Sequence, residues 1–307
     1  AAVKRLDVRL LASPEGVSLD KRTSTWAQFT APTSLAVPPR NDHLVMRAHE
    51  YFFAILTKRP ERFASFQASD WVRSIGAEDN IGRGALNYRI VFPRGDGLLA
   101  LPETMLDWTN TAVLFWDDVS PSELTSEQRR ALVDWLHFGG RLIINGDVMA
   151  AELASSELAP LLPIQVDGMT DLDADATANM IQRWSIAADD SKSAVSALVK
   201  SQSSRVAVGG TLKPDSFAIT GTEELLTARR VGRGEVVMSR FDLTSDWLIG
   251  WRSRDSFFNA AVLARPGRRY DVASGSLVQR YIDPTDASTK TLLAIGGPSV
   301  NTSLRLS

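Results

Sequence analysis

Between Leu101 and Asp147 the chain spells out one structural unit almost residue by residue, and no other stretch restricts the fold as tightly. Ala112-Val113-Leu114-Phe115-Trp116 is an unbroken apolar run that stops at Asp117-Asp118, the pattern of a parallel strand buried on both faces and emerging at a polar edge. Thr125 followed three residues later by Gln128 makes a capping box, Glu127 sits where the helix dipole favours an anion, and Leu132, Trp135 and Leu136 share one helical face. Gly139-Gly140 ends that helix, and Arg141-Leu142-Ile143-Ile144-Asn145-Gly146 returns as a second buried strand. The result is a β-α-β unit, which is right-handed in nearly all sheets.

The same grammar precedes it. Tyr51–Leu56 is apolar, Thr57-Lys58-Arg59-Pro60 reads as a turn, Phe63, Phe66, Trp71 and Val72 predict a helix over Glu61–Ser74, and Tyr88–Phe92 is the next strand. Strand and helix alternating from 51 to 146 predict an open, mostly parallel α/β sheet with helices on both faces. Further on, Ala150–Leu158 and Ser193–Val199 read as helices, Leu161–Val166 and Val206–Val208 as extended, and Ser201–Ser204 as a loop. The ends are β-rich: Val3–Leu11 alternates apolar and charged residues, residues 12–50 carry Pro32, Pro38 and Pro39, and Ser276–Ile282 and Thr291–Ile295 read as strands around a Pro284-Thr285-Asp286 turn. The expected division is a β-rich segment at 1–50 that wraps or flanks the sheet, an α/β domain at 51–270 and C-terminal strands at 271–307.

The segment LPETMLDWTNTAVLFWDDVSPSELTSEQRRALVDWLHFGGRLIINGD resembles the class I glutamine amidotransferase-like domain of large, membrane-anchored bacterial proteins of unassigned function. Downstream, ARRVGRGEVVMSRFDLTSDWLIGW resembles that family's closing segment, with Gly232 and Gly234 in a turn before a strand and FDLTSD at its edge. The likeness covers roughly 50–270 and rests on structural motifs. It implies a flavodoxin-like, doubly wound sheet and a place on the extracytoplasmic side of a bacterial membrane, periplasmic or at the cell surface.

Active enzymes of that class resemble one another in a Cys nucleophile on a strand-to-helix elbow, with a His and an acidic residue near the last strand. This chain has no Cys. The elbow-equivalent position holds Asn145-Gly146-Asp147, and the closing strand Val236–Met238 is followed by Ser239, Arg240, Phe241 and Asp242 without a His. Thiolate attack with imidazole as proton acceptor therefore has no residues to perform it, and the expectation is a pseudoenzyme. A carboxylate alternative has Asp147 as nucleophile with Asp117 or Asp118 as acid or base. The structural reading is that polar residues belong at strand ends and that Asp147 caps the following helix. Because ligand crevices form outside the C-terminal ends of parallel strands, the candidate crevice comprises Lys58, Arg59, Asp117, Asp118, Asn145, Asp147 and Asp242.

Other motifs have simpler explanations. Asp171, Asp173 and Asp175 begin like a calcium loop, but Ala176 stands where the bend needs Gly and Gln182 where it needs a bidentate Glu, so the expectation is a solvated acidic loop. His43, His49 and His137 lack zinc spacing, and His137 suits the last turn of a helix. Arg94-Gly95-Asp96 reads as a turn, and Gly82-x-Gly84 lacks the third Gly of a dinucleotide fingerprint. Trp247, Trp251, Phe257 and Phe258 fit either a sugar-stacking platform or the packing of a Ser256–Leu263 helix on the sheet. Neither a metal nor a cofactor is expected.

With 307 residues, 44% hydrophobic, and a formal net charge of −2, the chain supports one large core. The Arg265, Arg268 and Arg269 cluster stands without a basic stripe, which argues against nucleic acid. Apolar runs fall short of the roughly 18 residues that span a bilayer, so membrane attachment is expected only through segments outside this chain. The opening Ala1-Ala2-Val3 fits a piece of a larger precursor. The expected function is a non-catalytic binding or scaffold module of a larger extracytoplasmic protein, with a protein or glycan partner. The alternatives are an oligomerisation or glycan-binding module of a carbohydrate-processing protein, and a carboxylate hydrolase in the strand-end crevice.

Overall fold

The computed structural model describes residues 50–72, 88–95, 98–146, 149–185, 188–200 and 206–265, with the backbone of three later strands. The chain divides into two units, Ala1–Ala48 and His49–Ser307, and everything that follows concerns the second. The expectations for Val3–Leu11, residues 12–49, the Gly82-x-Gly84 segment, Ser201–Ser204, His43, His49, Asp147, Arg268 and Arg269 lie outside the described residues.

The body is a mixed α/β structure on a seven-stranded, mostly parallel sheet. Its strands are β1 (Tyr51–Leu56), β2 (Tyr88–Val91), β3 (Thr111–Trp116), β4 (Arg141–Ile144), β7 (Ser216–Ala218), β8 (Leu226–Val231) and β9 (Gly234–Ser239). Between β4 and β7 the chain forms a separate antiparallel hairpin, β5 (Ile164–Asp171) with β6 (Val206–Leu212). The order across the main sheet is β2-β1-β3-β4-β9-β8-β7. Neighbours from β2 to β9 are parallel, and β8 and β7 add antiparallel strands at one side. A last antiparallel sheet joins β10 (Tyr270–Ala273), β11 (Ser276–Tyr281) and β12 (Lys290–Leu293).

The continuous apolar runs follow from burial on both faces. Phe53, Ile55, Val113, Phe115 and Ile143 point into one core, which also holds Phe63, Phe66, Trp71, Trp247, Trp251, Phe257 and Phe258. Their neighbours Ala54, Leu56, Leu114, Trp116, Leu142 and Ile144 point into the other, against Leu132, Trp135 and Leu136 of α1 (Ser126–Phe138). The four aromatics at 247–258 are therefore core residues, each at most 2% exposed, and cannot stack on a sugar.

Helix α1 forms as its sequence dictates. Thr125 Oγ1 accepts from Gln128 N at 3.1 Å while Gln128 Oε1 accepts from Thr125 N at 3.1 Å. At the other end Gly139 adopts φ 125°, where a side chain would be strained. Its neighbour Gly140 lies so close to the Trp135 ring that an added Cβ would fall 2.3 Å from it. His137 sits in the last turn, as expected.

Elsewhere the elements differ from the sequence reading. The helix expected over Glu61–Ser74 is a string of short turns, Pro60–Phe63, Ala64–Gln67 and Asp70–Val72. At Ser69 the backbone tightens, its N donating to Phe66 O at 3.1 Å and Val72 N to Ser69 O at 3.2 Å. Among the described residues between β2 and β3 there is no long helix but a small hairpin (Arg94–Gly95 with Leu98–Leu99) and one turn at Met105–Trp108, in a segment punctuated by Pro93, Gly95 and Pro102. The expected Ser256–Leu263 helix is a short helix, Arg254–Phe257, running into a π turn at Phe258–Val262. The supposed acidic loop is a helix start: Asp173 Oδ1 accepts from Asp175 N at 2.9 Å and from Ala176 N at 3.0 Å, capping α3 (Ala174–Trp184). After α2 (Met149–Ala154) and α3 comes α4 (Ala188–Lys200), the last long helix among the described residues.

Candidate functional site

Strands β1, β3, β4 and β9 run parallel, so their C-terminal ends lie along one edge of the sheet. The chain leaves β1 for β2 on one side and reaches β3 on the other, a reversal of winding that opens a crevice between the β1 and β3 ends. Thr57, Lys58 and Arg59 follow β1, Asp117 and Asp118 follow β3, Asn145 follows β4, and Asp242 lies three residues beyond β9. Six of the seven candidate residues are thus described at this edge. Asp147 is the seventh, and it lies outside the described residues.

The residue that organises them is Arg62, in the turn after β1. Its Nη1 donates to Asp117 Oδ2 at 3.1 Å, and its Nη2 donates to Asp242 Oδ2 at 2.6 Å and to Thr244 Oγ1 at 2.7 Å. Asn145 bridges the same two carboxylates from below, Nδ2 lying 2.7 Å from Asp117 Oδ1 and 2.9 Å from Asp242 Oδ1. Its Oδ1 accepts from Leu243 N at 2.8 Å, which fixes the amide orientation. Thr244 closes the circuit, with N and Oγ1 donating to Asp242 Oδ1 at 2.8 and 2.7 Å.

A second carboxylate group surrounds β1's end. Thr57 Oγ1 lies 2.9 Å from Asp117 Oδ2 and 3.0 Å from Asp118 Oδ1. Asp118 also accepts from Lys58 N at 2.6 Å and from Arg59 Nε at 2.7 Å. Lys58 itself pairs outward with Glu123 at 2.8 Å. The close crossing of the β4 and β9 ends demands Gly146, where an added Cβ would lie 2.3 Å from Phe241 N.

These contacts give the two aspartates at the end of β3 opposite electrostatics. Burial is the largest influence on Asp117, whose side chain is 0% exposed. It pushes the carboxyl above its usual 3.8, against the lowering effects of Asn145, Arg62 and Thr57. Burial acts the same way on Asp118, but there the Lys58 N–H, the Arg59 guanidinium and the Thr57 hydroxyl outweigh it and hold the carboxyl below 3.8. Chemically, the edge brings Asp117 and Asp242 together, each already accepting several hydrogen bonds and sharing one guanidinium. A carboxylate acting as base or nucleophile needs a free lone pair facing substrate. Asp117 is fully buried and accepts from Arg62, Asn145 and Thr57, while Asp242, 31% exposed, takes three of its hydrogen bonds on Oδ1 and the Arg62 bond on Oδ2. His137 stands at the opposite end of β4, beside Gly232, and takes no part.

The strand pattern of the sequence places Lys58, Arg59, Asn145 and the acidic side chains at this edge but gives no pointer to Arg62, Thr57 and Thr244. Three acidic side chains gathered at one sheet edge require cations, and Lys58, Arg59 and Arg62 all lie just after β1; that charge balance was the available signal.

Fold and site together define a mixed α/β protein with a mostly parallel seven-stranded sheet and a hydrogen-bonded acidic edge. No protein-family model matches the sequence, and no curated protein matches it. Among solved structures, one similar chain is a cytoplasmic protein of Salmonella typhimurium LT2, with 12% identity and a TM-score of 0.43 over 70% of this chain and 98% of that one. A second cytoplasmic protein from Salmonella typhimurium gives 13% identity and a TM-score of 0.39 over 55% of this chain and 77% of its own. A β-galactosidase from Rahnella sp. R3 gives 12% and 0.38 over 77% of this chain and 35% of the enzyme.

Proposed function

We propose that this chain is a non-catalytic α/β module of the class I glutamine amidotransferase-like type, serving as a binding or scaffold part of a larger extracytoplasmic protein, with a protein or glycan as partner. The observation that carries the reading is Arg62 seated between Asp117 and Asp242, which occupies with protein side chains the crevice where a related enzyme would hold substrate. Two further points support it. The chain has no Cys for a thiolate mechanism, and the parallel strands run in the order second, first, third, fourth, fifth along the chain, the flavodoxin-like winding. The placement outside the cytoplasm follows from the family resemblance of 101–147 and 228–251 alone. Among the described residues no helix is long and apolar enough to cross a membrane.

The test is a hydrolysis panel. The full chain is assayed on glutamine and on chromogenic glycosides, esters and phosphates, beside Asp117→Asn and Asp242→Asn variants whose folding is verified by circular dichroism. The reading expects no turnover that distinguishes the chain from the variants. Turnover that disappears in both folded variants would overturn it in favour of carboxylate chemistry.

A further inference from the structure

Two cations meet on one turn with no acid paired to either. Lys213, the residue after β6, donates Nζ to Ala159 O at 2.6 Å. Arg229 of β8 donates Nη1 to Pro160 O, the next carbonyl of the turn at Ala159–Leu161. Among the described residues neither belongs to an ion pair. Asp215, the nearest acid along the chain, is exposed and bonds to neither. The Lys213 ammonium is held below its usual 10.5, first by burial and then by Arg229, and no carboxylate acts against them. A hydroxyl stands beside the pair. Ser216 opens β7 directly opposite Arg229, so the two side chains leave the same face of the sheet. Ser216 N donates to Lys213 O at 3.1 Å, folding the lysine back toward them, and Ser216 Oγ is enclosed without a hydrogen-bond partner. The two carbonyls take one N–H each, which leaves most donors of both cations over. Both side chains are partly exposed, so a solute can reach them.

We propose that Lys213, Arg229 and Ser216 form a binding site for a phosphoryl group, borne on an ester or present as free phosphate. A phosphoryl dianion neutralises both cations, whose mutual repulsion then becomes attraction to a shared partner. Its non-bridging oxygens are enough to give one to the ammonium, one to the guanidinium edge and one to the hydroxyl. A carboxylate carries a single charge and two coplanar oxygens, which leaves one of the three donors without an acceptor. Ser216 Oγ becomes available as the flexible Arg229 side chain turns from Pro160 O toward the anion. The site shares no residue with the strand-end crevice, so its failure would leave the reading of the crevice intact.

The test titrates the full chain with inorganic phosphate, with glycerol 3-phosphate and with acetate at constant ionic strength, reading backbone amide and lysine side-chain shifts by nuclear magnetic resonance. Phosphate and its ester are expected to bind with dissociation constants of about 1 mM or lower, with shifts confined to the strands that carry the three residues and to the Ala159–Leu161 turn. Acetate should not bind. Binding should strengthen between about pH 5.5 and about pH 7.5, as the second phosphate proton leaves, and the titration midpoint of the Lys213 ammonium should rise when phosphate is bound. Tighter binding of glycerol 3-phosphate assigns the group to an ester, and equal affinities assign it to the free ion; either result upholds the site. Lys213→Gln and Arg229→Gln should each weaken binding about tenfold, and Ser216→Ala about threefold, with thermal melts verifying that the variants fold. Should a cation variant fail to fold, Ser216→Ala and the Lys213 midpoint of the unaltered chain decide. Absence of shifts at phosphate concentrations of about 20 mM, acetate binding equally well, shifts mapping elsewhere, an unmoved Lys213 midpoint, or folded variants that bind as the parent does would overturn the proposal.

Discussion

Replacing Arg62 with Met keeps the length of the side chain and removes its charge, which leaves Asp117 buried with no cation beside it. The Coulomb attraction between unit charges about 4 Å apart is about 4 kcal/mol at an effective dielectric of about 20. Breaking a buried pair by removing one partner typically costs 3–5 kcal/mol, or about 4. Arg62 is 20% exposed and its second partner Asp242 31% exposed, so solvent screens part of the interaction, and the desolvation of Arg62 itself is recovered. The expected loss is about 3 kcal/mol at neutral pH, which for a domain of this size lowers Tm by roughly 6–12 °C. The assay is urea unfolding followed by tryptophan fluorescence, with the midpoint falling and the slope unchanged. The mechanism makes two sharper demands. Adding Asp117→Asn to Arg62→Met should recover about half of the loss, because the stranded charge is gone. The deficit should also shrink in acid, where Asp117 of the single variant takes up a proton. A loss below about 0.5 kcal/mol, or a double variant no more stable than Arg62→Met, would refute the reasoning.

Three further outcomes are expected. Glu223 and Glu224 occupy the centre of a tight turn with φ of 50° and 62°, closed by Leu225 N donating to Thr222 O at 2.8 Å; these values suit Asn-Gly, so Glu223→Asn with Glu224→Gly should stabilise the chain by about 1–2 kcal/mol in the same unfolding assay. Thr125→Ala removes the α1 cap and should cost about 1 kcal/mol. For Asp117, whose folded carboxyl lies above 3.8 because of burial, the native state binds the proton more tightly, so its contribution to stability falls as pH rises above 3.8; Asp118 has the opposite sign, its contribution being lost as pH falls below 3.8. Unfolding midpoints measured against pH should therefore lose the first slope in Asp117→Asn and the second in Asp118→Asn.

The parts of this fold that can be read from sequence are those specified locally. The runs at 53–56, 113–116 and 142–144 are apolar on both faces because both faces are buried, and the Thr125–Gln128 box and Gly139 mark their helix without tertiary help. The acidic members of the site and the amide that bridges them were legible for the same reason, since Asp117, Asp118 and Asp242, with Asn145, fall where buried strands end. Arg62 was not, because its partner Asp242 lies 180 residues away and only the strand order brings β1's end within reach of β9's. Helix α3 was hidden by its own cap: Asp171, Asp173 and Asp175 suit a loop as well as a helix start, and the choice depends on Thr177, Met180, Ile181 and Trp184 finding a core. The turns at 60–72 were misread because their apolar spacing fits a helix, while the backbone closes repeatedly on the third residue back, as in Arg62 N to Arg59 O, Ser69 N to Phe66 O and Val72 N to Ser69 O.

The central claim is that Arg62 locks the strand-end crevice by holding Asp117 and Asp242 at once, and nuclear magnetic resonance of the Arg62 guanidinium in the intact chain tests it most directly. The account predicts separately resolved Nη1 and Nη2 protons, slow rotation about the Cζ–Nε bond, and hydrogen-bond couplings to the carboxylate carbons of both Asp117 and Asp242. A single averaged Nη signal with free rotation and fast solvent exchange would contradict it, leaving both carboxylates open to a ligand.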